Sequence, residues 1–179
     1  YGGFAGGETM ISQRDWEANL TVLSGDLEQN DITNADGVVE DPDDIVGTNA
    51  LHVVEAEYMD GVVLDGFVIT AGAALQPCIS YGDRGGGLYL MDAEVTLRNL
   101  IVTGNTAYVG GGLMNESVLP YAASMGLGVS AASQPECSSN PYLYSTAEQK
   151  SPVASSPGVV NGSIGLTMSD VLFANNHAT

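Results

Sequence analysis

Carboxylates are the residues of this sequence with the most chemistry to offer. The stretch 26–44 holds Asp26, Glu28, Asp31, Asp36, Glu40, Asp41, Asp43 and Asp44, a density of hard oxygen donors suited to Ca²⁺. Asp26, Glu28, Asp31 and Asp36 are the candidate ligands. An EF-hand register fails: with Gly37 at the sixth position, Asn34 and Asp36 fall on ligand positions, but Ile32 takes the first, which requires a carboxylate. The stretch reads either as an irregular Ca²⁺ site or as a solvated acidic loop, and the loop is the simpler reading.

Asp65 and Asp92 are candidates for a different task. Two carboxylates on neighbouring strands at a fixed separation are what glycoside cleavage needs. Arg98 aligns with Asp65 one repeat further on, so an ion pair between neighbouring repeats is the simpler use of Asp65. His52 and His177 are the two imidazoles, and neither stands in a catalytic frame. Tyr89 is the best outward aromatic for stacking on a sugar ring. Cys78 and Cys137 permit one disulfide and lack metal-ligand spacing. Asn-x-Ser/Thr sites begin at Asn19, Asn115 and Asn161. No catalytic nucleophile, phosphate loop or dinucleotide fingerprint stands out, so no catalytic or cofactor-binding residue is assigned.

The elements that position these groups follow from a repeat. Gly86-Gly87-Leu88-Tyr89 recurs as Gly111-Gly112-Leu113-Met114, 25 residues on. The segments 62–72, 95–105 and 166–176 align without gaps. Four columns are apolar in each: Val62/Val95/Leu166, Leu64/Leu97/Met168, Phe67/Leu100/Val171 and Ile69/Val102/Phe173. Their period of two is that of strands. The alternation slips at Asp65-Gly66, Arg98-Asn99 and Ser169-Asp170, which marks a corner between short strands. The run from Thr21 to Asp26 reads as a fainter fourth copy. Residues 11–20 could form a turn or two of helix at most.

One short unit of this kind cannot bury its apolar face alone, whereas stacked copies can. The expected fold is therefore all-β: a right-handed parallel β-helix, a solenoid of about four coils in one domain over residues 1–179. Repeat starts at 21, 62, 95 and 166 leave coils of 41, 33 and 71 residues. The excess over the 25-residue unit becomes three insertions: an acidic loop at 27–49, a short one at 73–85 and a Ser-, Pro- and Gly-rich one at 116–165. The chain opens without Met and stops within a strand pattern, so part of a longer protein is expected.

Composition narrows the partners. The chain has 179 residues, 22 acidic and four Lys or Arg, for a formal charge of −18. That balance excludes an electrostatic footprint for nucleic acid or anionic lipid. No apolar run approaches the roughly 20 residues of a membrane span.

The repeats resemble those of bacterial cell-surface proteins of the polymorphic outer membrane protein type, which carry Gly-Gly-Ala-Ile-like and Phe-x-x-Asn tetrapeptides in a right-handed parallel β-helix. Gly86-Gly87-Leu88-Tyr89 and Gly111-Gly112-Leu113-Met114 are similar to the first, and Phe173-Ala174-Asn175-Asn176 matches the second. Val102-Thr103-Gly104-Asn105 matches with Val for Phe, and Ile69-Thr70-Ala71-Gly72 lacks the Asn. The resemblance implies secretion, surface display and adhesive or architectural work, with no defined reaction. The expected function is accordingly a non-enzymatic extracellular structural or adhesive module. Its partners would be a protein or glycan at the cell surface, or copies of itself stacked through strand edges into a filament. A polysaccharide-binding or polysaccharide-processing protein is the alternative.

Overall fold

The computed structural model describes residues 1–76, 82–117, 159–161 and 165–179. The runs of alternating apolar residues form short strands in chain order: β1 (Val22–Ser24), β2 (Val54–Glu57), β3 (Val62–Asp65), β4 (Val68–Thr70), β5 (Ala73–Ala74), β6 (Leu88–Met91) and β7 (Val95–Thr103). They continue with β8 (Thr106–Ala107), β9 (Leu113–Glu116), β10 (Val159–Asn161), β11 (Leu166–Ala174) and β12 (His177–Ala178). Three sheets result. The first runs β1-β4-β7-β11 with β3 also on β7, the second β10-β9-β6-β2, and the third β12-β8-β5. Every pairing between these strands is parallel.

The repeat alignment is the register of the first sheet. Leu64 and Met168 both stand opposite Leu97. Ile69 and Phe173 both stand opposite Val102. These columns enter one apolar cluster with Leu88, Leu90 and Leu113 of the second sheet, so the two sheets share a core. Fully burying such a side chain, as at Leu97, Ile69 and Val102, stabilises the fold by about 1.5–3 kcal/mol. The slip in alternation is a left-handed residue at equivalent positions: Gly66 (φ +83°), Asn99 (φ +49°) and Asp170 (φ +54°). Glycine meets no Cβ clash there, and Asn and Asp tolerate the region better than other residues.

The architecture corrects the expectation of an all-β, four-coil right-handed β-helix. The described residues form three separate parallel sheets, the third built of two-residue strands, with irregular connections and two single-turn 3₁₀ segments, Ile11–Gln13 and Pro42–Asp44. No closed winding joins them among the described residues. The run at Thr21 explains much of the difference. Val22 lies opposite Val68, so β1 matches the second half of the repeat unit and not its start. Beside β3 the backbone of Gly2 donates to the Asp65 carbonyl at 2.8 Å. The acidic insertion makes its own turns and docks through Val39, which is fully buried and whose carbonyl accepts from the Thr70 hydroxyl at 2.7 Å.

No helix among the described residues is long and apolar enough to cross a membrane. Cys78 and Cys137 lie outside the described residues, as does most of the 116–165 insertion.

Candidate functional site

Asp65 ends β3 at the left-handed corner and is 5% exposed. Its Oδ1 accepts from Arg14 Nη2 at 2.6 Å and from Asn99 Nδ2 at 2.7 Å. Burial pushes its pKa up, but the hydrogen bonds from Arg14 and Asn99 and the charges of Arg14 and Arg98 outweigh this and hold it below the usual carboxylate value. Arg14 also donates to the Gly2 carbonyl at 3.2 Å, and its Cζ lies 5.6 Å from the centre of the Tyr1 ring. The N-terminal segment is thereby clasped to the repeat corner.

The partner differs from the expected one. Arg98 is in register with Asp65, yet Arg14 makes the ion pair, and Arg98 is exposed with no salt bridge among the described residues. On a strand, residues opposite one another share a face, but the corner turns Asp65 toward the incoming N-terminal segment. An open cavity of about 400 Å³ beside the pair is lined by Tyr1, Arg14, Trp16, Asp65, Arg98 and Asn99 among others.

A second buried ionic group lies on the far side of the second sheet. Glu116, 4% exposed at the end of β9, accepts from Arg84 Nη1 at 2.7 Å and from the Tyr89 hydroxyl. Arg84 Nε also meets Asp83 at 3.3 Å. The Tyr89 ring stacks on His52 with centroids 5.0 Å apart, and His52 Nδ1 lies 3.1 Å from the Gly85 carbonyl. Tyr89, Met91 and Met114 form a small buried apolar cluster. Tyr89 is fully buried, so it does not offer its ring to a sugar. Glu57 at the neighbouring strand end is pushed up by partial burial and then by the charge of Glu55.

Three of the candidate Ca²⁺ ligands accept hydrogen bonds from within the acidic loop and its flank. Asp26 Oδ1 caps the backbone of Glu28 and Gln29, and its Oδ2 accepts from the Asp31 backbone at 3.0 Å. Asp31 is engaged by the Val46 backbone at 2.6 Å and by Asn49 Nδ2 at 2.7 Å. Glu28 accepts from the Asn30 side chain, and Asp36 is exposed in the turn closed by Asn34. No group of three or more His, Cys, Asp or Glu among the described residues is arranged to hold a metal ion. For Asp26, burial acts upward on the pKa, and the four backbone N–H donors outweigh it and hold the carboxyl low.

Of the remaining candidates, Asp92 is half-buried at a left-handed position (φ +46°) and His177 is exposed in β12. Asn115 is 2% exposed within β9, so its glycosylation motif lies inside the fold. The residues missed from sequence are Arg14, Arg84 and Glu116. Glu116 was within reach: extending the Gly-Gly alignment puts it opposite Met91, beside the Tyr89 column. Arg14 carries no such signal, because it lies outside the repeat, 51 residues from its partner.

No protein-family model, curated protein or solved structure matches this chain.

Proposed function

We propose that the chain is a non-enzymatic structural or adhesive module of an extracellular or cell-surface protein, which presents a strand edge and its loops to another protein, a glycan or a further copy of itself. The observation that carries this reading is the state of β11. It is the last strand of the first sheet, and Leu166, Met168 and Val171 on it are only half-buried. Their counterparts in β7, Val95, Leu97 and Leu100, are at most 2% exposed. Among the described residues no further strand pairs with β11, and a nine-residue edge with a half-covered apolar column is a template for another strand.

Two further points support the reading. The carboxylates with the strongest hydrogen-bond partners serve to fasten loops and strand ends. The likeness of the Gly-Gly and Phe-x-x-Asn tetrapeptides to cell-surface repeats argues for display outside the cell.

Sedimentation velocity over a concentration series tests the edge. Concentration-dependent association that is lost in Met168→Lys, with the circular dichroism of a folded chain retained, is expected. An unchanged monomer at every concentration, together with release of reducing ends from a panel of acidic and neutral polysaccharides, would replace the proposal with an enzymatic one.

A further inference from the structure

We propose that the outer face of the first sheet around Trp16 is a docking groove for an extended peptide carrying one acidic side chain followed by an apolar one. This rests on the reading of the chain as a contact module and names the class of partner. Trp16 lines two adjoining cavities, of about 400 and about 460 Å³. The first is polar and holds Arg14 and Arg98, two of the four basic residues of the chain. Asp65 neutralises Arg14 at 2.6 Å. Arg98 is exposed and makes no ion pair among the described residues. In a chain of charge −18, this guanidinium is a rare point of attraction for a carboxylate.

The second cavity is apolar, walled by Leu20, Ile101, Val171 and Leu172. Leu20 and Leu172 are 41% and 56% exposed, so an apolar side chain seated there would remove both from water. A sugar is disfavoured, since its hydroxyls would lose hydration against walls that offer few polar groups in return. Glu17 and Asp170 also line this half and repel a second acid. The charges therefore set a direction: the acidic side chain toward Arg98, the apolar one beyond Trp16.

Trp16 is the single tryptophan, so its emission reports occupancy. The probes are blocked peptides in which one Asp precedes one Leu across a short glycine spacer, the same peptides with Lys for Asp, and a glucuronate oligosaccharide, all at low ionic strength because an exposed charge pair is screened by salt. Saturable change with the Asp peptides, weakened roughly tenfold or more by Arg98→Glu and by Leu172→Asp, is the expected result. Both side chains are exposed, and unchanged circular dichroism and melting temperature show that the variants fold. An equal response to the Lys peptides, undiminished binding by Arg98→Glu, a response to glucuronate alone, or no saturable change overturns the groove. Met168→Lys should leave peptide binding intact, which separates failure of the groove from failure of the strand edge.

Discussion

Asn176 Oδ1 accepts twice from Asn105, once from its backbone N–H at 3.2 Å and once from its side-chain amide at 2.9 Å. The same Asn105 amide reaches the carbonyls of Ile69 and Thr103, its Oδ1 accepts from the Gly72 backbone at 2.9 Å, and Asn176 Nδ2 donates to the Val102 carbonyl. Two asparagines thus tie together the corners of three successive repeats, where strand hydrogen bonding lapses and buried backbone groups would otherwise lack partners.

Replacing Asn105 with Ala leaves the Ile69 carbonyl and the Gly72 N–H without these partners in a fully buried corner. Each orphaned group costs about 1–3 kcal/mol. Asn105→Ala is expected to destabilise by about 3–5 kcal/mol in urea unfolding. Asn176→Ala should cost less, since Asn176 is slightly more exposed and its amide reaches one backbone carbonyl where Asn105 reaches two. Equal losses would mean that the ladder is not anchored at Asn105.

The paired glycines call for a different account. Gly86, Gly87, Gly111 and Gly112 are absent from the left-handed region, which is occupied instead by the preceding Gly85 (φ +61°) and Gly110 (φ +65°). What the pairs permit is close approach: a Cβ on Gly87 would lie 2.5 Å from the Gly112 carbonyl oxygen and 3.0 Å from Val102 Cγ1. Gly87→Ala is therefore expected to lower the melting temperature sharply. Gly61→Ala meets no atom within 4 Å and should cost only the strain of its positive φ, about 1–2 kcal/mol. Comparable losses in the two variants would contradict crowding at Gly87.

The inward and outward sides of a repeat can be compared in the same way. Leu97 is fully buried in the shared core, while Leu172 is 56% exposed. Leu97→Ala should cost about 2–5 kcal/mol, and Leu97→Asp should prevent folding because it strands a charge in the core. Leu172→Asp should change stability by no more than about 0.5 kcal/mol. Retained stability in Leu97→Asp would show that the apolar columns do not form the core.

These contrasts show why some of the molecule was legible in the sequence. The apolar columns could be aligned because Leu64, Leu97 and Met168 obey the period of a strand and occupy equivalent positions. The run at Thr21 aligns half a unit out of its structural register, because Val22-Leu23 resembles both halves of a repeat whose strands share one pattern. Nor is outward position the same as exposure. Tyr89 points away from the main core, yet His52 stacks on it and Met91 and Met114 pack beside it. The Arg14–Asp65 contact was hidden for another reason: a contact between an entry segment and a repeat corner leaves no periodic trace.

Two acidic groups should respond to pH with opposite signs. The Asp65 pKa is lowered in the fold, the hydrogen bonds of Arg14 and Asn99 and the charges of Arg14 and Arg98 overcoming the upward push of burial. Its contribution is therefore fully present above the unfolded value of 3.8 and is lost as pH falls below that toward the lower folded value. Glu57 is raised, first by burial and then by Glu55, so its contribution is fully present below 4.5 and is lost as pH rises above that through the folded value. Melting curves between acid and neutral pH should show Asp65→Asn losing about 2 kcal/mol at neutrality, as Arg14 is left without its counter-charge, with the deficit shrinking in acid. Glu57→Gln should gain stability at neutral pH and match the parent chain in acid. A deficit of Asp65→Asn that persists unchanged in acid would mean that the loss comes from the altered side chain at the corner and not from the ion pair with Arg14.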